Sequence, residues 1–231
     1  MQKKSKKIKT QGLPDDLELL SQLPAKVDFL LLKDRLKLYK NARKKIFDLA
    51  KKGYLQSIQK GLYFNSKSSE LKLLHVESFA NSLYFPSYVS AEWALQYYGL
   101  LTDRVHIITS VTTRRSSQFK TPVGTFAFDH IHKKRYAIGY SMQTVDDATF
   151  LIARPEKALL DYVNLRAGKI SWKSKADISL FLEEDLRLDT ERLLELISED
   201  HLKELIPYYH RNAKEARLLR WMIAQKEGLD V

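Results

Sequence analysis

The sequence contains no cysteine, which removes disulfides, thiol nucleophiles and every Cys-ligated zinc site together. Glycine and proline are scarce, 8 and 6 of 231 residues, while tyrosine and phenylalanine number 12 and 10, so the chain is not disordered overall. Long apolar runs are missing as well. Phe29-Leu30-Leu31-Leu32 falls far short of the ~20 residues that a membrane helix needs, and no membrane partner is expected. Met1 to Lys9 is basic but leads into no hydrophobic core of a secretory signal, so a soluble protein of the cytoplasm is the expectation.

Signatures of catalysis are also lacking. No Gly is followed by Ser and there is no Asp-x-Asp, the glycine-serine loop and acidic pair of a nucleotidyltransferase. Neither G-x-x-x-x-G-K-[ST] nor G-x-G-x-x-G occurs, and there is no G-x-S-x-G or H-E-x-x-H. His130 and His132 alternate along an expected strand and could share a metal, but no Cys and no acidic residue beyond Asp129 stands nearby to complete a site. Glu70-x-Lys72 with Pro14-Asp15 is too fragmentary for a nuclease. Glu156 and Asp161, five apart on one helix, point about 140° away from each other and do not converge as an acid/base pair. The expectation is a protein without enzymatic activity, cofactor or metal.

What is present is positive charge, unevenly placed. The net charge is +11. Residues 1–65 hold 16 Lys and Arg against 6 Asp and Glu, whereas residues 66–231 hold 23 against 22. Excess charge concentrated in a small module is the footprint of a polyanion binder, and it is also compatible with a merely solvated basic surface.

The pattern of that module is specific. After a Lys-rich arm over residues 1–12, Pro14 suits a first helical turn, and Leu17, Leu19, Leu20 and Leu23 supply the apolar side of a short helix ending near Pro24. Lys33 to Leu38 reads as a second helix. Asn41 is placed to cap a third, in which Ala42, Ile46, Leu49 and Ala50 recur at helical spacing while Arg43, Lys44, Phe47, Asp48 and Lys51 face largely away. Gly53 stops that helix. Tyr54 to Phe64 then reads as two short strands around Lys60-Gly61. Three helices followed by a hairpin over residues 13–65 predict a winged helix-turn-helix. Lys40, Asn41, Arg43, Lys44, Phe47, Lys51 and Lys60 are its candidate contacts to double-stranded DNA, Phe47 being equally able to pack on the second helix. The same arrangement also serves as a protein-docking module.

Beyond a polar linker at residues 65–69 the expectation is a mixed α/β domain over 66–231, so the fold class is α+β. A capped helix runs from Ser90 to Gly99, and strands are expected over 105–112, 121–131 and 135–142. Pro155 opens a further helix, and from about Ser174 the pattern is helical, with Asn212 placed to cap the last helix. Arg114, Arg115, Lys120, Lys133, Lys134 and Arg135 make a possible second basic patch on exposed connections, against only Asp103 and Asp129 between residues 101 and 140. Residues 176–231 run the other way, with 13 acidic residues and 8 basic ones.

Three segments carry a resemblance to a known family. Glu92-Trp93-Ala94-Leu95-Gln96-Tyr97-Tyr98-Gly99-Leu100 resembles the helix opening the C-terminal domain of AbiEi-type antitoxins. Ile108 to Arg115 followed by Phe119 to Phe126, and Ala153-Arg154-Pro155-Glu156-Lys157-Ala158-Leu159-Leu160-Asp161, resemble its later motifs in the same order. Lys52 to Tyr63 is similar to the family's wing, a pattern that many winged helices share, and the first 40 residues and 171–231 match only weakly. The resemblance implies a bacterial antitoxin and transcriptional autorepressor of a type IV toxin–antitoxin (abortive infection) system. It would bind an operator of inverted repeats and counteract a separate nucleotidyltransferase toxin. Direct binding of that toxin, with DNA binding secondary, is the alternative.

Overall fold

A computed structural model describes residues 15–73, 75–146, 148–168, 172–211 and 213–228. The expected arm over 1–12, Pro14 in its first turn and Asn212 as a cap lie outside the described residues. The chain is of the α+β class and divides into two compact units, Met1–Leu74 and His75–Val231.

In the first unit, helix α1 (Asp16–Ser21) starts at Asp15, whose carboxylate accepts the Leu17 N–H at 3.2 Å. Strand β1 (Lys26–Asp28) passes directly into α2 (Phe29–Arg35), because Asp28 both ends the strand and caps the helix, accepting the Leu31 N–H at 2.8 Å. The second helix is therefore earlier than the Lys33–Leu38 expected. The apolar run from Phe29 to Leu32 is its first turn, not a lead-in. Helix α3 (Ala42–Lys51) is capped by Asn41, which accepts the Lys44 N–H at 3.0 Å. Strands β2 (Leu55–Gln59) and β3 (Leu62–Asn65) follow, joined through Gly61 at a φ of +83° that a side chain would resist. The sheet is antiparallel in the order β1-β3-β2.

Leu20, Leu23, Val27, Leu32, Leu36, Ile46, Leu49 and Leu55 form this unit's core, so each of the three helices and both sheet flanks contribute. Asn65 is fully buried and tolerated because it is bonded: its amide donates to the carbonyls of Leu20 at 2.7 Å and Leu23 at 3.2 Å, and its oxygen accepts the Lys67 N–H. Ser66 donates to the Gly53 carbonyl and Ser69 to that of Ser21. The polar stretch expected as a linker at 65–69 is thereby tied into the first unit, and the division falls after Leu74, not at residue 65.

The second unit is built on a six-stranded mixed sheet. Its elements in chain order are α4 (Val76–Leu83), β4 (Ser87–Val89), α5 (Ala91–Tyr97), β5 (Ile107–Thr112), β6 (Ser117–Thr121), β7 (Gly124–His130), α6 (Lys133–Tyr136), β8 (Tyr140–Val145), β9 (Ala148–Ala153) and α7 (Pro155–Arg166). The strand order is β6-β7-β5-β4-β9-β8, with β5/β7 and β4/β9 parallel and the other pairs antiparallel. The strand expected over 135–142 is two elements: residues 133–136 coil into α6, capped by His132, and extended structure begins only at Tyr140. Helix α7 packs against α5, β9 and the later helices, and is buried along nearly its whole first three turns. Helices α8 (Lys175–Leu180), α9 (Thr190–Leu196), α10 (Glu199–Leu205) and α11 (Lys214–Lys226) complete the unit. α8 starts with a reciprocal capping box between Ser174 and Asp177.

Candidate nucleic-acid interface

Helix α3 owes its two faces to spacing. At about 100° per residue, Ile46 and Leu49 point into the core, while Arg43, Lys44, Phe47 and Lys51 fall within an arc of about 100° on the opposite side. All four are exposed, Phe47 at 64%. An aromatic ring standing in water among three cations gains nothing from the fold it belongs to. Arg43 lies 5.9 Å from the centre of the Phe29 ring, a loose contact that leaves its guanidinium donors outward. Lys40 is exposed just ahead of the cap, and Lys60 is exposed at the turn between β2 and β3.

Not every lysine of α3 is available. Lys45 and Lys52 both reach back to Asp16, at 2.5 and 2.7 Å. The hydrogen bonds from Lys45 and then Lys52 hold the Asp16 carboxyl below its ordinary value. These two cations brace α3 against α1, while no ion pair is seen among the described residues for Arg43, Lys44 or Lys51, with Asp48 the one acidic residue on that helix. Asn41 is also partly occupied, since its carbonyl oxygen caps α3 and only its amide donors remain for another partner.

The second basic patch is not a single surface. Arg135 is withdrawn from it: its guanidinium donates to Asn164 at 2.8 Å and Glu215 at 3.0 Å and lies 4.9 Å from the Tyr209 ring centre. Glu215 is buried, so this arginine neutralises an interior carboxylate and does not reach outward. Arg114 stacks on Tyr84 at 4.0 Å and donates to the Phe85 carbonyl at 3.1 Å. Arg115, Lys133 and Lys134 are exposed. Lys120 pairs with Thr125 beside the β6–β7 turn, at the end of the hairpin away from Arg114 and Arg115. The patch thus shrinks to Arg114, Arg115, Lys133 and Lys134.

The two histidines do not converge. His130 ends β7 with Nδ1 2.9 Å from the Arg114 carbonyl, whereas His132 has left the strand and caps α6 through the Lys134 N–H. Among the described residues no group of three or more His, Asp or Glu side chains could hold a metal. Glu156 faces Arg154 at 2.9 Å, and burial raises its carboxyl above the ordinary value.

A buried polar cluster was not foreseen. Lys157 is fully buried and donates to Asp161 one turn on; Asp161 also accepts from Ser90 at 2.7 Å and from Tyr88 at 3.4 Å. Burial pushes the Lys157 ammonium below its usual value and the Tyr88 phenol well above its own. Tyr88 stacks on Tyr140 at 4.8 Å, and Gly139, at a φ of +75°, lies so close that a Cβ would meet the Lys157 stem at 2.8 Å. The cluster is sealed from solvent and suits a role in fixing β4 against α7, not acid/base chemistry on a substrate. The only local signal is Lys157 and Asp161 at i,i+4 on a helix buried along most of its length.

Among the described residues no helix is long and apolar enough to cross a membrane. No family model matches the sequence, and no curated protein matches it significantly.

Proposed function

We propose that the chain is a DNA-binding transcriptional regulator without enzymatic activity, its first unit a winged helix-turn-helix with α3 as recognition helix and the β2–β3 hairpin as wing. The observation that carries this reading is the exposed stripe of Arg43, Lys44, Phe47 and Lys51 on a core-anchored helix whose Lys45 and Lys52 are paired internally. Arg43 and Lys44, in the first turn of α3, are placed for base edges in a major groove, and Lys40, Lys51 and Lys60 for phosphates.

The test is binding to the duplex upstream of the chain's own gene and to random duplex. Arg43→Ala and Lys44→Ala should lose about 1–3 kcal/mol on the former and narrow the difference between the two. Lys60→Ala should weaken both about equally, because phosphates carry no sequence information. Equal behaviour of all three variants would displace α3 as the reading element.

We further propose an antitoxin role in the cytoplasm, opposing a nucleotidyltransferase toxin, on the resemblance of the segments between residues 85 and 165 to AbiEi-type antitoxins. The second unit would carry that role, with Arg114 and Arg115 as its candidate contacts. Expression of residues 75–231 with the toxin from a foreign promoter should restore growth, and Arg114→Ala with Arg115→Ala should abolish the rescue. Copurification of toxin and fragment would favour direct binding as the mode of neutralisation.

A further inference from the structure

The exposed stripe on α3 holds one side chain that its charge does not explain. At about 100° per residue, Phe47 lies inside the arc, with Arg43 about 40° to one side and Lys51 and Lys44 about 40° and 60° to the other. Along the helix axis Arg43 comes about 6 Å before it and Lys51 about 6 Å after it. The ring is therefore central to the exposed face and not at its rim. Ile46 and Leu49 already anchor this helix in the core, so the fold does not call for a further apolar residue here. A phenyl ring left in water forgoes the free energy that its burial would release, and a partner that covers it recovers that energy.

The surroundings of the ring narrow that partner. Exposed Arg43, Lys44 and Lys51 on its flanks favour an anionic surface over an apolar protein face. The phenyl group has neither a donor nor a charge, so it offers nothing to a phosphate oxygen. In the major groove of a duplex the base edges present donors and acceptors, and the apolar group among them is the C5-methyl of thymine. Arg43 and Lys44 are four and three residues earlier, hence neighbours of Phe47 on the helix surface. The rise of about 6 Å from Arg43 to Phe47 matches about two base steps at ~3.4 Å each. With the first turn of α3 on base edges, the ring comes within reach of a base one or two steps along the same groove.

We propose that Phe47 is a specificity-determining contact to the C5-methyl group of a thymine, one or two steps from the base pair that Arg43 or Lys44 meets. The assignment rests on α3 being the recognition helix and adds what its apolar residue reads. Fluorescence anisotropy titration of the full chain tests it, with the duplex upstream of the chain's own gene and the same duplex carrying deoxyuridine for every thymine. The two duplexes differ in the major groove by the methyl groups alone. The unaltered chain should bind the uracil duplex about fourfold weaker or more, the scale of one methyl group removed from water. Phe47→Ala should bind the thymine duplex weaker by a similar factor and no longer distinguish the two. Phe47→Leu, still apolar, should keep part of the ratio, and Lys60→Ala should weaken both duplexes while keeping all of it. Equal affinity of the unaltered chain for both duplexes, or a ratio that survives Phe47→Ala, would overturn the assignment and leave α3 as the reading element. Phe47→Ala binding both duplexes as the unaltered chain does would overturn it in favour of a protein partner for the ring. Binding of neither duplex by the unaltered chain would overturn the recognition-helix reading itself, and this assignment with it.

Discussion

The two units differ in how much of their positive charge is drawn into ion pairs. In the first, α3 turns Arg43, Lys44 and Lys51 to solvent and pairs only Lys45 and Lys52, both with Asp16. In the second, arginines and lysines that look equally basic in sequence are drawn into pairs: Arg135 with Glu215, Arg154 with Glu156 and Glu204, Lys157 with Asp161, Arg166 with Glu92 and Asp129. Density of charge along the chain therefore does not measure charge offered to a partner. What decides is whether a carboxylate from another element reaches the cation first, as Glu215 reaches Arg135 from 80 residues away.

The comparison breaks most sharply at Lys157. Lys157→Met leaves Asp161 buried without its cation and should cost about 3–5 kcal/mol, read as a fall in the denaturation midpoint. A midpoint unchanged by this variant would mean that the pair does not hold β4 to α7. Arg135→Ala should follow at about 2–3 kcal/mol, since Glu215 is stranded in the interior, whereas Lys134→Ala beside it should stay within about 0.5 kcal/mol. Equal effects would erase the distinction between withdrawn and exposed cations.

That distinction also marks how far sequence reasoning reached. α3 and its hairpin were legible because their determinants are local: Asn41 three residues before the N–H it caps, apolar residues at helical spacing, and Gly61 at the one turn position with positive φ. α2 was misplaced because Asp28 does two jobs at once and a three-residue strand gives no alternation to read. β4 is equally short, and β6 stayed hidden behind Arg114-Arg115-Ser116, which read as loop. On the surface stripe the sequence left Phe47 between exposure and packing on the second helix, and its 64% exposure comes from the structure alone. For Arg135 the sequence could not suffice, because the carboxylate and the tyrosine ring that claim it come from α11 and the turn before it.

A smaller effect sharpens the first unit's side of the comparison. Asp16 has its pKa depressed below 3.8 by Lys45 and Lys52, so the stabilisation is present above about pH 4 and is lost as pH falls through the depressed value. Asp16→Asn should remove about 1 kcal/mol at neutral pH, partly screened by salt, and flatten the acid limb of the first unit's unfolding profile. The variant also releases Lys45 and Lys52, so DNA binding should not weaken and should tighten slightly at low salt. Weaker binding would mean that the brace between α1 and α3, not the count of available cations, governs the interface.

The most direct test of the central claim is the salt dependence of DNA affinity for the full chain. Each phosphate contact contributes a slope of about −0.9 in log affinity against log salt. With Lys40, Arg43, Lys44, Lys51 and Lys60 all outward, at least about four contacts are expected, and hence a slope steeper than about −3. A flat response would contradict the account, because the exposed cations of α3 and the hairpin would then not be meeting phosphates.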